Sequence, residues 1–267
     1  MNPISLASGV LPEFGPVTLV EAAHAGGFDA VGLWIEPDRW TTGTTREVRA
    51  ALAATDLPVL DVEVIWLKPG SAMDDHRRVI DIGAELGAAH VLCVSSEPDH
   101  AVTAARLADL CRHAEGSGMR VTLEFGIFTE VKTLANALSI LDAVGHNLRA
   151  VLIDPIHVDR SGTALEEIAR IDPALLPYAQ FCDAPAQRPN PADFDAVITD
   201  AIALRRQCGE GALPLHDLYA ALPADIPLSI ELRSRALREG FPDPTARVRA
   251  VADATRRWLA STREAAA

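Results

Sequence analysis

The 267-residue chain has almost no lysine: 22 of its 24 cations are arginine, and only Lys68 and Lys132 are not. Against them stand 37 acidic residues, for a formal charge of −13. No basic run interrupts the acidic balance, so the chain carries no electrostatic footprint for a phosphate backbone, and nucleic acid is not an expected partner. Its four cysteines, Cys93, Cys111, Cys182 and Cys208, lie far apart with no CxxC spacing. That excludes a zinc knuckle and a disulfide framework, and reduced thiols are expected. No stretch approaches the roughly 18 apolar residues of a membrane span, and the opening residues lack a basic-then-apolar leader pattern. A cytoplasmic protein without membrane contact is the expectation. Low apolar content is also missing: 49% of the residues are hydrophobic, spread along the whole length, which excludes intrinsic disorder.

What is present is alternation. Short β-rich runs are expected at Pro3–Ala7, Ala30–Ile35, Val59–Ile65, His90–Ser95, Arg120–Phe125, Ala150–Asp154, Tyr178–Cys182 and Leu228–Leu232. Helical patterns fall between them at Val17–Ala25, Thr45–Ala54, Asp75–Leu86, Ala101–Glu115, Val131–Val144, Ala164–Ala169 and Leu215–Ala221, with a last one at Pro244–Ala260. Several end in glycine, as at Gly145, which suits a left-handed cap. Eight βα units in this length are the rhythm of a (β/α)8 TIM barrel, an α/β fold in one domain spanning residues 1–267. A doubly wound open sheet would want a glycine-rich phosphate turn after its first strand, and Ser8-Gly9-Val10-Leu11-Pro12 is not one. The long gap Ala184–Pro214 is expected to hold a short helix near Phe194–Arg205 and to form a lid or partner surface; a homodimer through it or through the outer helices is a further expectation.

In such a barrel, chemistry gathers where the strands end. Side-chain alternation pairs Thr122 with Glu124, Leu152 with Asp154, Tyr178 with Gln180 and Ser229 with Glu231, one residue filling the barrel and an oxygen donor at its mouth. Three carboxylates converging there would repel unless a cation joined them. Oxygen donors suit a hard or borderline divalent ion, Mn²⁺, Mg²⁺ or Co²⁺. His157 lies three residues after Asp154, where a near-neutral imidazole serves proton transfer. Arg233, on the face of Glu231, is a candidate for a substrate carboxylate or hydroxyl. Ser95 could donate to substrate hydroxyls, while Trp34, Trp66 and Phe125 offer an apolar wall. Asp183 is expected to orient a ligand from behind.

The runs VTLEFG, LIDPIH, QFCDAP, GEGALPL and LSIELRS resemble the xylose isomerase-like TIM barrel superfamily of sugar isomerases, epimerases and related dehydratases. The resemblance spans nearly the whole chain. It implies one divalent ion held by Glu124, Asp154, Gln180 and Glu231, with Gln180 where histidine is usual. Glutamine there, with a histidine three residues after the metal aspartate, looks like the bacterial 3-dehydroshikimate dehydratases and, more distantly, the inosose dehydratases. By that resemblance His157 is the acid–base, the substrate is a small keto-polyol, and the reaction is enolisation followed by loss of water. The alternative is a ketose isomerase or epimerase in which Glu124 and Glu231 exchange a C–H proton. A non-catalytic barrel is the remote alternative. The superfamily's abasic-DNA endonucleases need extra histidines and a basic groove, which are lacking.

Overall fold

The structure is a computed structural model that describes residues 2–266, with side chains through residue 262. Eight parallel strands run β1 (Ile4–Leu6), β2 (Ala30–Trp34), β3 (Val59–Leu67), β4 (His90–Ser95), β5 (Arg120–Glu124), β6 (Arg149–Leu152), β7 (Ala179–Phe181) and β8 (Leu228–Ile230). They pair in the order β6-β5-β4-β3-β2-β1-β8-β7. A parallel bridge between Ile153 and Ala179 closes the ring, with the Gln180 amide donating to Ile153 O at 3.0 Å. This is a single-domain (β/α)8 barrel, as the alternation predicts.

The helices are α1 (Pro16–Ala25), α2 (Thr42–Thr55), α3 (Met73–Glu85), α4 (His100–Ala114), α5 (Leu134–Val144), α6 (Pro155–Ser161), α7 (Leu165–Ile168), α8 (Phe194–Ala203), α9 (Leu215–Ala221), α10 (Arg235–Gly240) and α11 (Pro244–Ala266). Caps account for the boundaries that differ from expectation. Thr133 accepts from the Asn136 amide, so α5 begins at Leu134 rather than Val131. Gly145 ends it at φ 62°, a left-handed position open to glycine at little cost. The short helices α6 and α10 carry too few apolar positions to show a period and were not anticipated. Among the described residues, no helix is long and apolar enough to cross a membrane. All four cysteines are free and buried.

Most of the core lies between the strands and the outer helices. A smaller plug of Leu92, Val94, Leu152 and Tyr178 fills the barrel below its mouth. Beneath it, the His90 ring stacks on Tyr178, centroids 4.9 Å apart. Burial, reinforced by Arg120, lowers the His90 pKa to about 4. The unfolded chain therefore takes up a proton near pH 6.5 that the folded protein refuses, and stability falls as pH drops from about 6.5 toward 4. In urea titrations at pH 7 and 5, His90→Phe is expected to lose less stability on acidification than the wild type, by roughly 1–2 kcal/mol. An unchanged pH dependence would assign the effect to another group.

Candidate active site

Glu124, Gln180 and Glu231 aim oxygen-bearing side chains into one chamber of about 140 Å³, and Asp154 lies fully buried beside them. Glu124 closes β5, Asp154 follows β6, Gln180 is central in β7, and Glu231 follows β8. Asp154 also caps α6: its Oδ1 accepts from the Ile156 amide at 3.0 Å, which fixes the carboxylate where the strand turns into the helix. That turn places His157 on the first turn of α6, beside both carboxylates. His157 Nε2 lies 3.8 Å from Glu124 Oε1 and 3.9 Å from Asp154 Oδ2, close enough for electrostatic coupling and too far for a hydrogen bond. With its amide nitrogen turned inward, Gln180 donates to Glu124 Oε1 at 2.9 Å and Glu231 Oε2 at 3.2 Å. Turned the other way, it presents a neutral oxygen to the same point.

The centre holds a residue the sequence reading passed over. Arg205, only 3% exposed, places Nη1 2.6 Å from Asp154 Oδ2 and Nη2 2.9 Å from Glu231 Oε2. Its Nε donates to Ala201 O at 2.7 Å. Burial opposes its charge, but Asp154 and Glu231 more than compensate, and the guanidinium stays protonated. Arg233 Nε takes the other oxygen of Glu231 at 3.0 Å. Arg205 arrives from the segment after α8 because Asp183 ties that segment down. Backbone Asp183 and Arg206 exchange hydrogen bonds of 2.9 and 2.7 Å, while the Asp183 carboxylate accepts from the amides of Ala184, Gly209, Gly211 and Leu213. Asp183 thus clasps the GEGALPL loop and orients Arg205 instead of lying behind a strand-end ligand.

Other expectations sort by strand parity. Trp34, Trp66, Phe128 and Arg233 line the chamber, and Ile198, Ala201 and Ile202 of α8 roof it, giving the 184–214 segment a covering role. Phe125 does not line it. Glu124 faces inward, so its neighbour turns out into the helix layer and is fully buried there. Ser95 is displaced for the same reason, since Leu92 and Val94 are the inward residues of β4. Its hydroxyl instead bonds Thr103 Oγ1 in α4 at 2.8 Å and accepts from the Glu97 amide. Glu63 enters the chamber from β3 and accepts from Ser8 Oγ at 2.6 Å.

Charge decides whether a metal fits. Glu63, Glu124, Asp154 and Glu231 carry four negative charges when ionised, and Arg205 and Arg233 return two positive ones. The surplus shows on Glu124, whose carboxyl is pushed well above the usual range by burial and then by Asp154 and Glu231, and on Glu63, raised by burial and then by Glu231. Asp154, despite its own burial, is held low by Arg205. One divalent cation would balance the remaining two charges. Glu124, Asp154 and His157 each offer a ligand atom within 4.8 Å of the others. The donor set therefore fits a divalent ion.

Such a chamber at the C-terminal mouth of a (β/α)8 barrel, rich in carboxylates and suited to a divalent ion, defines the class of the protein. The sequence profile described as xylose isomerase-like TIM barrel matches residues 20–261, and the chain belongs to that family. No curated protein sequence matches it. Among solved structures, it resembles a xylose isomerase-like TIM barrel/4-hydroxyphenylpyruvate dioxygenase fusion protein, with TM-score 0.80 and 21% identity over 95% of this chain; the chain spans 42% of that protein. It also resembles the IolI protein with a bound zinc atom, at TM-score 0.78 and 15% identity, covering 98% of both chains. A third is D-allulose 3-epimerase from Methylomonas sp. in complex with D-allulose, at TM-score 0.71 and 12% identity over 96% of each chain.

Proposed function

We propose that the protein is a divalent-metal-dependent dehydratase that enolises a small polyhydroxylated keto compound and expels water from it. The placement of His157 on the chamber wall beside Glu124 and Asp154 carries this reading. Burial lowers its pKa to about 4 even though Asp154 opposes the shift, so the imidazole is neutral at pH 7 and able to accept a proton. Its Nε2 makes no hydrogen bond to the neighbouring carboxylates and borders the chamber. Glu124, Asp154, Gln180 and Glu231 are the residues assigned to hold the ion, and His157, which also offers a nitrogen to that point, is assigned as the base instead of a further ligand. When bound there, a divalent ion polarises the substrate carbonyl as a Lewis acid.

His157 then removes the proton next to the carbonyl and returns it to the departing hydroxyl β to it. Phe128 packs on the imidazole at 4.9 Å, and the α8 roof shields the exchange from bulk water. A sugar-like substrate agrees with the D-allulose held by the epimerase of similar fold.

A second reading, epimerase or isomerase, is favoured by the Gln180 amide lying between Glu124 and Glu231, which would flank a substrate carbon. Elimination is preferred because His157 borders the chamber as a neutral base, and proton exchange between Glu124 and Glu231 would leave it without a role.

The test is incubation of Mn²⁺-loaded protein with keto-polyols in D₂O, followed by proton NMR and mass spectrometry. C–H exchange with loss of one water is the expected result. Exchange into a stereoisomer without water loss would establish the epimerase reading, and absence of both would remove the enzymatic one. Glu231→Gln is expected to bind Mn²⁺ at least about tenfold more weakly by calorimetry.

A further inference from the structure

A second cavity, of about 470 Å³, lies beside the reaction chamber, over the loop after β1 and the starts of α1 and α2. The two share Trp34 and Arg233 as walls. Ser8 on the outer side and Glu63 on the inner join them through their 2.6 Å hydrogen bond. The partition is one layer of side chains. Arg233 Cζ sits 5.2 Å over the Trp34 ring, and among the described residues only its Nε is engaged within the protein. Trp34 is 39% exposed, between the two spaces.

The far wall is firmly built. Phe14 lies under Arg247, Cζ 5.8 Å from the ring centroid. Arg247 is itself buried, paired with Glu13 at 2.7 Å and donating to Val10 O and Phe241 O. Trp40 is fixed by its indole N–H on Thr45 Oγ1 at 2.9 Å. Glu36, Arg39 and Thr44 add polar groups to this aromatic surface.

We infer that the outer cavity is a second substrate subsite, and that the natural substrate is a keto-polyol joined through a linking atom to a second ring. This rests on the enolising reading above. Small-molecule sites commonly enclose about 300–1,000 Å³, and the reaction chamber alone falls below that span, while the two cavities together lie within it. The chemistry agrees with the volume. Aromatic faces accept the flat face of a ring, aryl or sugar, and neighbouring polar groups take its hydroxyls. Arg233 stands at the junction, where it reaches the linking atom and holds Glu231 in the same side chain. Trp34 and Arg233 therefore select for a substituent and do not merely narrow the mouth.

Calorimetric titration of the Mn²⁺-loaded protein with methyl β-D-glucopyranoside, phenyl β-D-glucopyranoside and cellobiose tests this. At least one ring-bearing probe is expected to bind about tenfold tighter than the methyl glycoside, the size of a good ring contact. Preference for the phenyl compound identifies an aryl substituent, and preference for cellobiose a second sugar. Gly15→Trp fills the cavity from a position where a Cβ meets nothing within 4 Å, and is expected to abolish that advantage with little change in melting temperature. Equal affinities, no detectable binding of either ring-bearing probe, or an advantage that survives in Gly15→Trp would overturn the subsite. Failure of the enolising reading would appear separately, as absent C–H exchange with the ring preference intact.

Discussion

Arg205→Met is expected to lower the melting temperature by roughly 6–20 °C. Breaking a buried ion pair from one side costs about 3–5 kcal/mol, because the abandoned charges keep their burial and lose their partner. In a chain of this size each kcal/mol moves the midpoint by about 2–4 °C. Asp154 is fully buried and Glu231 nearly so, and among the described residues Arg205 is the only cation that bonds both. The variant is also expected to gain more melting temperature from added Mn²⁺ than the wild type does, since two further negative charges then face the ion. Arg205→Lys keeps the charge without the planar fork and should fall between the two. A methionine variant melting within about 2 °C of wild type would show that the carboxylates find another counter-ion.

His157→Asn is expected to reduce the rate of substrate C–H exchange by about 10²–10⁴-fold while Mn²⁺ still binds with unchanged stoichiometry. The two readouts separate the two roles open to this side chain, since an imidazole that ligates the ion cannot also take the proton. If the variant loses metal together with exchange, His157 is a ligand and the base lies elsewhere. The pH profile follows from the same residue. Because its folded-state pKa is about 4, the base stays neutral through pH 5–8, and the exchange rate should not decline across that range on account of His157.

The eight strands were legible because each is a short apolar run beside a longer helical one, and a barrel requires nothing subtler. The convergence of Glu124, Gln180 and Glu231 on one chamber was legible for a related reason: polar residues at the ends of apolar strands turn to the mouth, and Asp154 joins them through Arg205. The errors at Phe125 and Ser95 came from ignoring the parity that the same strands supply, since each sits next to a residue that faces inward. Trp66 lines the chamber along with Glu63 and Val64 because the β3–β4 register shifts between Val62 and Ile65, an irregularity no simple alternation contains. Arg205 was illegible for a different reason. It belongs to a loop, and its position depends on Asp183 binding amides more than twenty residues away. Local pattern carries no trace of that clasp beyond the neighbouring glycines of Gly209–Gly211.

The Arg205 bridge bears on how the protein lives with a variable metal supply. Its guanidinium bridges two of the proposed ligand carboxylates, so their spacing is set by protein contacts alone. Capture and release of the ion then need no refolding of the mouth. On the proposed function, exchange of one divalent ion for another would then alter the chemistry and leave the fold as it is.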